Sequence, residues 1–199
     1  MRTRRLAAPV ALAVAAALAL AGCSNDPLAE QWNEGSNKGF IAGDSTVAEF
    51  APADRGAAAE FSGPLDTGGE FDSGELLGSV SVVNFWYAGC APCRAEAPIL
   101  AELDEAYAGD VTFLGINLRD QAPSALAFSE SYDIAYPSVM DKQNGGRAIQ
   151  AYAGIVPLNA VPTTLVLDRQ GRVAVRILGQ IQDASILRTL VDDVLAEEG

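Results

Sequence analysis

Val80-Ser81-Val82-Val83-Asn84-Phe85-Trp86 is followed, after Tyr87-Ala88-Gly89, by Cys90-Ala91-Pro92-Cys93 and then Arg94-Ala95-Glu96-Ala97. The first seven residues are a near-continuous β-branched and aromatic run, the pattern of a strand buried on both faces. A helix is expected over about 91–108, so the Cys-x-x-Cys pair stands where a strand turns into a helix. A thiol there faces the positive end of the helix macrodipole and unpaired backbone N–H groups, and both favour the thiolate. Thiolate is the nucleophile of disulfide exchange, and a second cysteine one turn on can attack the resulting mixed disulfide. Pro92 suits a first turn, where its missing N–H costs nothing. A structural disulfide or two buried thiols are the plainer readings. A bridge closing so short a loop adds little stability, which favours redox chemistry instead.

Outward from this segment the chain alternates strand and helix patterns. Val47–Phe61 alternates apolar with small or polar residues, suggesting short strands or a hairpin, and Gly63-Pro64 and Gly68-Gly69 then punctuate the chain. Strands are expected at 111–117 and 137–140, and helices at 124–132 and 146–152. Two further strands, 163–167 and 172–178, flank the turn Asp168-Arg169-Gln170-Gly171. A last helix over 184–197 carries Ile186, Leu187, Leu190, Val191, Val194 and Leu195 on one stripe, with Asp183 as its N-cap. No repeat is visible. The alternation implies an α/β protein whose sheet is covered by helices and closed by a hairpin.

Composition removes whole classes of function. The 199 residues hold 13 Lys+Arg, 26 Asp+Glu, three cysteines and no histidine, for a net charge of −13. So acidic a chain is a poor partner for phosphate backbones, and no nucleic-acid partner is expected. Without histidine, Ser-His-Asp and Cys-His catalysis are impossible, and three cysteines cannot build a Cys₄ zinc site. A content of 49% hydrophobic and 20% charged residues argues against disorder.

The N-terminus reads as an address. Arg2, Arg4 and Arg5 precede the apolar run Leu6–Ala21, which ends in Leu20-Ala21-Gly22-Cys23. This is the pattern of a secretory signal, and a run interrupted by Pro9 is too short to span a bilayer, which takes ~20 residues. The last four residues resemble the lipobox of bacterial lipoproteins. That likeness implies cleavage before Cys23 and lipidation of its thiol, two acyl chains being enough for stable anchoring. Residues 1–22 are therefore expected to be a signal peptide, and 23–46, rich in turn formers and including Trp32, a flexible membrane tether. The Arg4-Arg5 pair also allows twin-arginine export.

Two segments carry a family resemblance. Asn84–Pro98 resembles the active-site segment of the TlpA/ResA branch of thioredoxin-like proteins, and Ala160-Val161-Pro162-Thr163-Thr164 resembles their cis-proline segment. The likeness spans about 47–199. It implies a thioredoxin-like domain: a central mixed β-sheet flanked by helices, with an N-terminal β-hairpin and an inserted strand–helix element. By the same resemblance Cys90 is the exposed nucleophile, Cys93 the resolving thiol and Pro162 a cis-proline facing them. Val161 would offer backbone hydrogen bonds to an extended substrate. Trp86 is assigned to the substrate-binding region, though packing of the core and of the site's rim is its main expected work. Asn84 stands where thioredoxin has a buried aspartate, and an amide cannot shuttle a proton. Glu96 matches a glutamate near the active site in the ResA-like branch, which implies tuning of the thiols and deprotonation of Cys93. The plainer alternative for Glu96 is a solvated helix side chain.

The resemblance implies a membrane-tethered, extracytoplasmic thiol–disulfide oxidoreductase that reduces client disulfides. Apocytochrome c before haem attachment is the best-known client type, and a membrane thiol-transfer protein would supply the electrons. No cofactor or metal is implied beyond the Cys90–Cys93 disulfide itself. The alternatives are a disulfide-forming oxidant or isomerase, and a metal- or haem-delivery chaperone using the two thiols. Peroxide reduction is disfavoured because no peroxidatic segment surrounds Cys90.

Overall fold

The computed structural model describes residues 46–157 and 160–197. The expected signal, the expected tether up to residue 45, Cys23 and Trp32 lie outside these residues, and Thr46, the last residue of the expected tether, already belongs to the first strand. The order along the chain is β1 (Thr46–Glu49), β2 (Ser62–Pro64), β3 (Glu70–Asp72), a 3₁₀ turn (Ser73–Leu76), β4 (Val80–Trp86), α1 (Ala91–Ala106) and β5 (Val111–Asn117). Then come α2 (Ala122–Ser131), β6 (Ser138–Met140), α3 (Arg147–Ala151), β7 (Thr163–Leu167), β8 (Val173–Leu178) and α4 (Ala184–Leu195). Six strands form one sheet in the order β1-β8-β7-β4-β5-β6. The pairs β4–β5 and β5–β6 are parallel, while β4–β7, β7–β8 and β8–β1 are antiparallel. This is the mixed sheet of a thioredoxin-like α/β fold.

All seven residues of β4 are buried, as its apolar run requires. Alternation then sorts its side chains. Val80 and Val82 join Leu100, Leu103, Leu187 and Val191 in a core under α1 and α4. Val83 and Phe85 join Phe61, Phe71, Ile149 and Tyr152 on the opposite face. Asn84 shares the face of Val82, which aims its amide at α1.

Two sequence expectations are corrected. The hairpin does not occupy 47–61: β1 runs antiparallel to β8, from Thr46↔Leu178 to Glu49↔Val175, and so becomes the sheet edge beyond the β7–β8 hairpin. The N-terminal hairpin is β2–β3, turning through Gly68 and Gly69 at φ 89° and 88°, a conformation that suits glycine. Residues 51–61 are an irregular strap instead, fastened by Arg55, whose Nε donates to the Phe50 carbonyl at 2.9 Å. The apolar stripe of α4 is also narrower than expected. Leu187, Leu190, Val191 and Val194 are buried, but Ile186 is 37% exposed. Asp183 caps α4 by accepting from the Ser185 N–H at 2.8 Å.

Candidate active site

Cys90 is the N-cap of α1, with extended backbone at φ −77°, ψ 114°, and its sulfur accepts the Cys93 N–H at 3.2 Å. The helix start therefore donates to the sulfur that would carry charge after reduction. Cys90 and Cys93 are joined by a disulfide with Cα atoms 5.2 Å apart. Both are buried, 4% and 2% exposed, so Cys90 is not the open nucleophile expected. Trp86, Ala97, Phe128 and Met140 form the cluster around them, with Tyr87, Ala88 and Val161 packed on its partly buried side.

Trp86 is a core residue. Its position in β4 points it at α2, where its ring lies 4.3 Å from that of Phe128, and its indole N–H donates to Ser138 Oγ at 3.2 Å. At 4% exposure it presents no face to a substrate. Val161 is better placed. The Val161–Pro162 bond is cis, the Pro162 carbonyl accepts from the Gly179 N–H at 2.9 Å, and Val161 packs against the cysteine cluster. Among the described residues the Val161 N–H and C=O take no backbone partner.

Glu96 is fully buried, not solvated. Cys93, Glu96, Ala97, Leu100 and Leu103 are the buried stripe of α1, facing the sheet at helical spacing. Positions i and i+3 lie about 5–6 Å apart at their β-carbons, so Glu96 sits one turn behind the resolving thiol. Its Oε1 accepts from Asn84 Nδ2 at 2.9 Å and its Oε2 from the Ile181 N–H at 2.8 Å. Asn84 Nδ2 also donates to Thr164 Oγ1 at 3.0 Å. Burial in this apolar layer pushes the Glu96 carboxyl up to about 7, while the Ile181 and Asn84 donors pull it down. Asn84 thus holds the carboxyl that does the titrating. A cavity of about 10 Å³ is lined by Asn84, Cys93 and Tyr136 among others. It offers about the room of one water.

Sequence reading missed Asn117 and Asp120. Asp120 Oδ2 accepts the Ala88 N–H at 2.6 Å and Asn117 Nδ2 at 2.8 Å, and Asn117 Oδ1 accepts the Asp120 N–H at 2.8 Å. This turn at the end of β5 therefore fixes the loop leading into Cys90. The Asn-x-x-Asp spacing directly after a strand was the available signal. A groove of about 750 Å³, lined by Phe61, Leu77 and Arg147 among others, shares no residue with the dithiol site. Among the described residues no group of three or more His, Cys, Asp or Glu side chains could hold a metal ion.

A profile of the AhpC/TSA family matches residues 55–176, which include both cysteines, Glu96 and the cis-proline. The chain belongs to the AhpC/TSA family. Within this thioredoxin-like family it is 32% identical over 109 residues to the thiol-disulfide oxidoreductase ResA of Geobacillus thermodenitrificans, covering 54% of this chain and 59% of that protein. It is 30% identical over 135 residues to the thiol:disulfide interchange protein HelX of Rhodobacter capsulatus, covering 67% of this chain and 71% of HelX. The crystal structure of a secreted thiol-disulfide isomerase from Corynebacterium glutamicum superposes with a TM-score of 0.67 at 29% identity, covering 80% of this chain and 98% of that one. The chain spans between 55% and 59% of the length of several curated relatives, ResA proteins among them.

Proposed function

We propose that this protein is a membrane-tethered, extracytoplasmic thiol–disulfide oxidoreductase that reduces disulfides in client proteins, apocytochrome c among them. The observation that carries the reading is the Cys90–Cys93 pair at the start of α1, with a buried carboxyl one turn behind it. The resemblance to ResA and HelX, both named for thiol–disulfide chemistry, supports it. The extracytoplasmic setting draws on the signal-like N-terminus and on the relative described as secreted. Cys23 would carry the lipid, and a membrane thiol-transfer protein would return the dithiol to its reduced form.

In the reduced protein the Cys90 thiolate attacks one sulfur of a client disulfide that lies extended along Val161. The client S–S bond breaks, a Cys90–client disulfide forms, and the released client thiolate takes a proton from solvent. Cys93 passes its proton to the Glu96 carboxylate and attacks Cys90 Sγ. This closes the Cys90–Cys93 bond and frees the second client thiol. Two electrons move from the protein to the client in each cycle. A carboxyl held at about 7 has the affinity to accept this proton at neutral pH. Removing the resolving thiol stops the cycle half-way. A Cys93→Ser variant is expected to accumulate a mixed disulfide between Cys90 and a cystine peptide, seen as a thiol-reversible mass increase. A Cys93→Ser protein that forms no adduct, or forms it through another residue, contradicts the assignment.

A further inference from the structure

The rim of the dithiol site runs against the charge of the rest of the molecule. Residues 46–197 carry nine Lys+Arg against 21 Asp+Glu. Three of those nine cations stand around the loop that precedes Cys90. Arg94 Nη1 donates to the Ala88 carbonyl at 3.0 Å. The Arg119 guanidinium lies 4.2 Å from the centre of the Tyr87 ring. Lys142 Nζ donates to the Arg119 carbonyl at 3.2 Å. All three residues are exposed, and among the described residues none forms an ion pair. Arg55, Arg172 and Arg188, by contrast, are each paired with a carboxylate.

Two carboxylates lie among them: Asp120 is taken up by the Ala88 N–H and by Asn117, and Asp141, buried beside Lys142, by the Ala148 and Ile149 N–H groups. The rim is therefore locally cationic by one charge, and its three cations are the exposed members while Asp141 is buried. Over the whole body the acidic excess dominates, but at physiological salt its field fades within about 8 Å. A partner docked close enough for Cys90 to reach its disulfide is governed by the rim. The backbone and ring contacts also hold the three side chains in place before a partner arrives, which lowers the ordering cost of docking.

We propose that Arg94, Arg119 and Lys142 form a docking rim for an acidic stretch of the client protein beside its disulfide. This rests on the oxidoreductase reading and adds the chemistry of the client. Each rim contact is an exposed ion pair, modest alone, so selection comes from two or three acting together. Their effect is on the capture of partners of one charge, and it weakens as salt rises.

Three cystine peptides differing only in flanking residues, aspartate, serine or lysine, test it with the reduced full-length protein. The aspartate peptide is expected to have kcat/KM about tenfold above the lysine peptide at low salt, and the two should converge at about 1 M salt. In an Arg119→Gln/Lys142→Gln variant the aspartate-to-serine ratio is expected to fall towards one, a ratio that cancels any general loss of rate. Equal rates for all three peptides, a preference for lysine, or a preference unchanged in the variant would overturn the proposal. So would weakened binding of the variant to phosphatidylglycerol vesicles with the peptide ratio intact, since the rim would then face lipid. If the serine peptide is not reduced at all, the oxidoreductase reading itself fails, and the proposal with it.

Discussion

The parent protein is expected to lose on the order of 2–3 kcal/mol of stability between pH 5 and pH 8, and Glu96→Gln is expected to abolish that loss. The sign follows from burial. The folded carboxyl is pushed from 4.5 up to about 7, so between these values the folded state binds more proton than the unfolded chain. Stability from this group is greatest below the unfolded value, declines as pH rises, and levels off above about 7. Glutamine fits the same cage. Its oxygen can accept from Ile181, and Asn84 can turn its amide over to accept from the new NH₂ while Thr164 donates to it. The chemistry fares differently, because glutamine cannot take a proton. Resolution of the mixed disulfide should slow about 100-fold and lose its pH dependence near neutrality. Urea titrations at pH 5 and pH 8 read the first effect, and single-turnover exchange with thiol titration reads the second. Unchanged thiol titration and unchanged rates would remove Glu96 from the mechanism.

Arg55→Ala is expected to cost about 3–5 kcal/mol, a large share of a single domain's stability. The Arg55 side chain is 3% exposed and reaches Asp168 at 3.0 Å and Glu197 at 2.5 Å, tying the strap after β1 to the β7–β8 turn and to the residues after α4. Alanine would leave Asp168, itself 4% exposed, with Arg172 as its one remaining cation. The Arg55 hydrogen bond holds the Glu197 carboxyl below its ordinary value. Burial raises Asp168, but the Arg172 N–H and the Arg55 and Arg172 side chains outweigh it and hold that carboxyl low as well. A lowered carboxyl contributes stability above its unfolded value and loses it as pH falls through the folded one. The gap between parent and variant should therefore be full at neutral pH and close below about pH 4. Arg188→Ala serves as the control. Its pair with Glu102 is 42% and 61% exposed, and its loss should cost under about 1 kcal/mol. Equal losses for the two arginines would contradict this ranking.

What the chain showed before folding divides by the distance over which each feature is encoded. β4, β5 and β7 were legible almost to the residue, because each is a buried apolar run bounded by turn formers. The cysteine pair was legible because its spacing and its helix are local. β2 and β3 were not, since three residues barely define an alternation, and their hairpin is held by Phe61 and Phe71 packing into the second core. The alternation over 47–61 points to short strands or a hairpin, and β1 is such a short strand, but its partner β8 lies at the far end of the chain, out of reach of a local pattern. At the site, Glu96 could be named but its burial could not be seen. The groups that hold it, Asn84 and Ile181, come from a strand 12 residues before and a loop 85 residues after. Trp86 was legible because its pattern is local to β4. Its expected main work, packing the core, is what strand alternation gives it by turning it inward against Phe128, and its place in the substrate-binding region is not seen at 4% exposure.

In the proposed function the Cys90–Cys93 dithiol gives electrons to clients and does not take them. The reduction potential of the Cys90–Cys93 couple, from equilibration with glutathione, tests it most directly. A reductant should lie towards the thioredoxin end, about −270 mV, whereas a value near about −120 mV belongs to a strong oxidant and would contradict the claim.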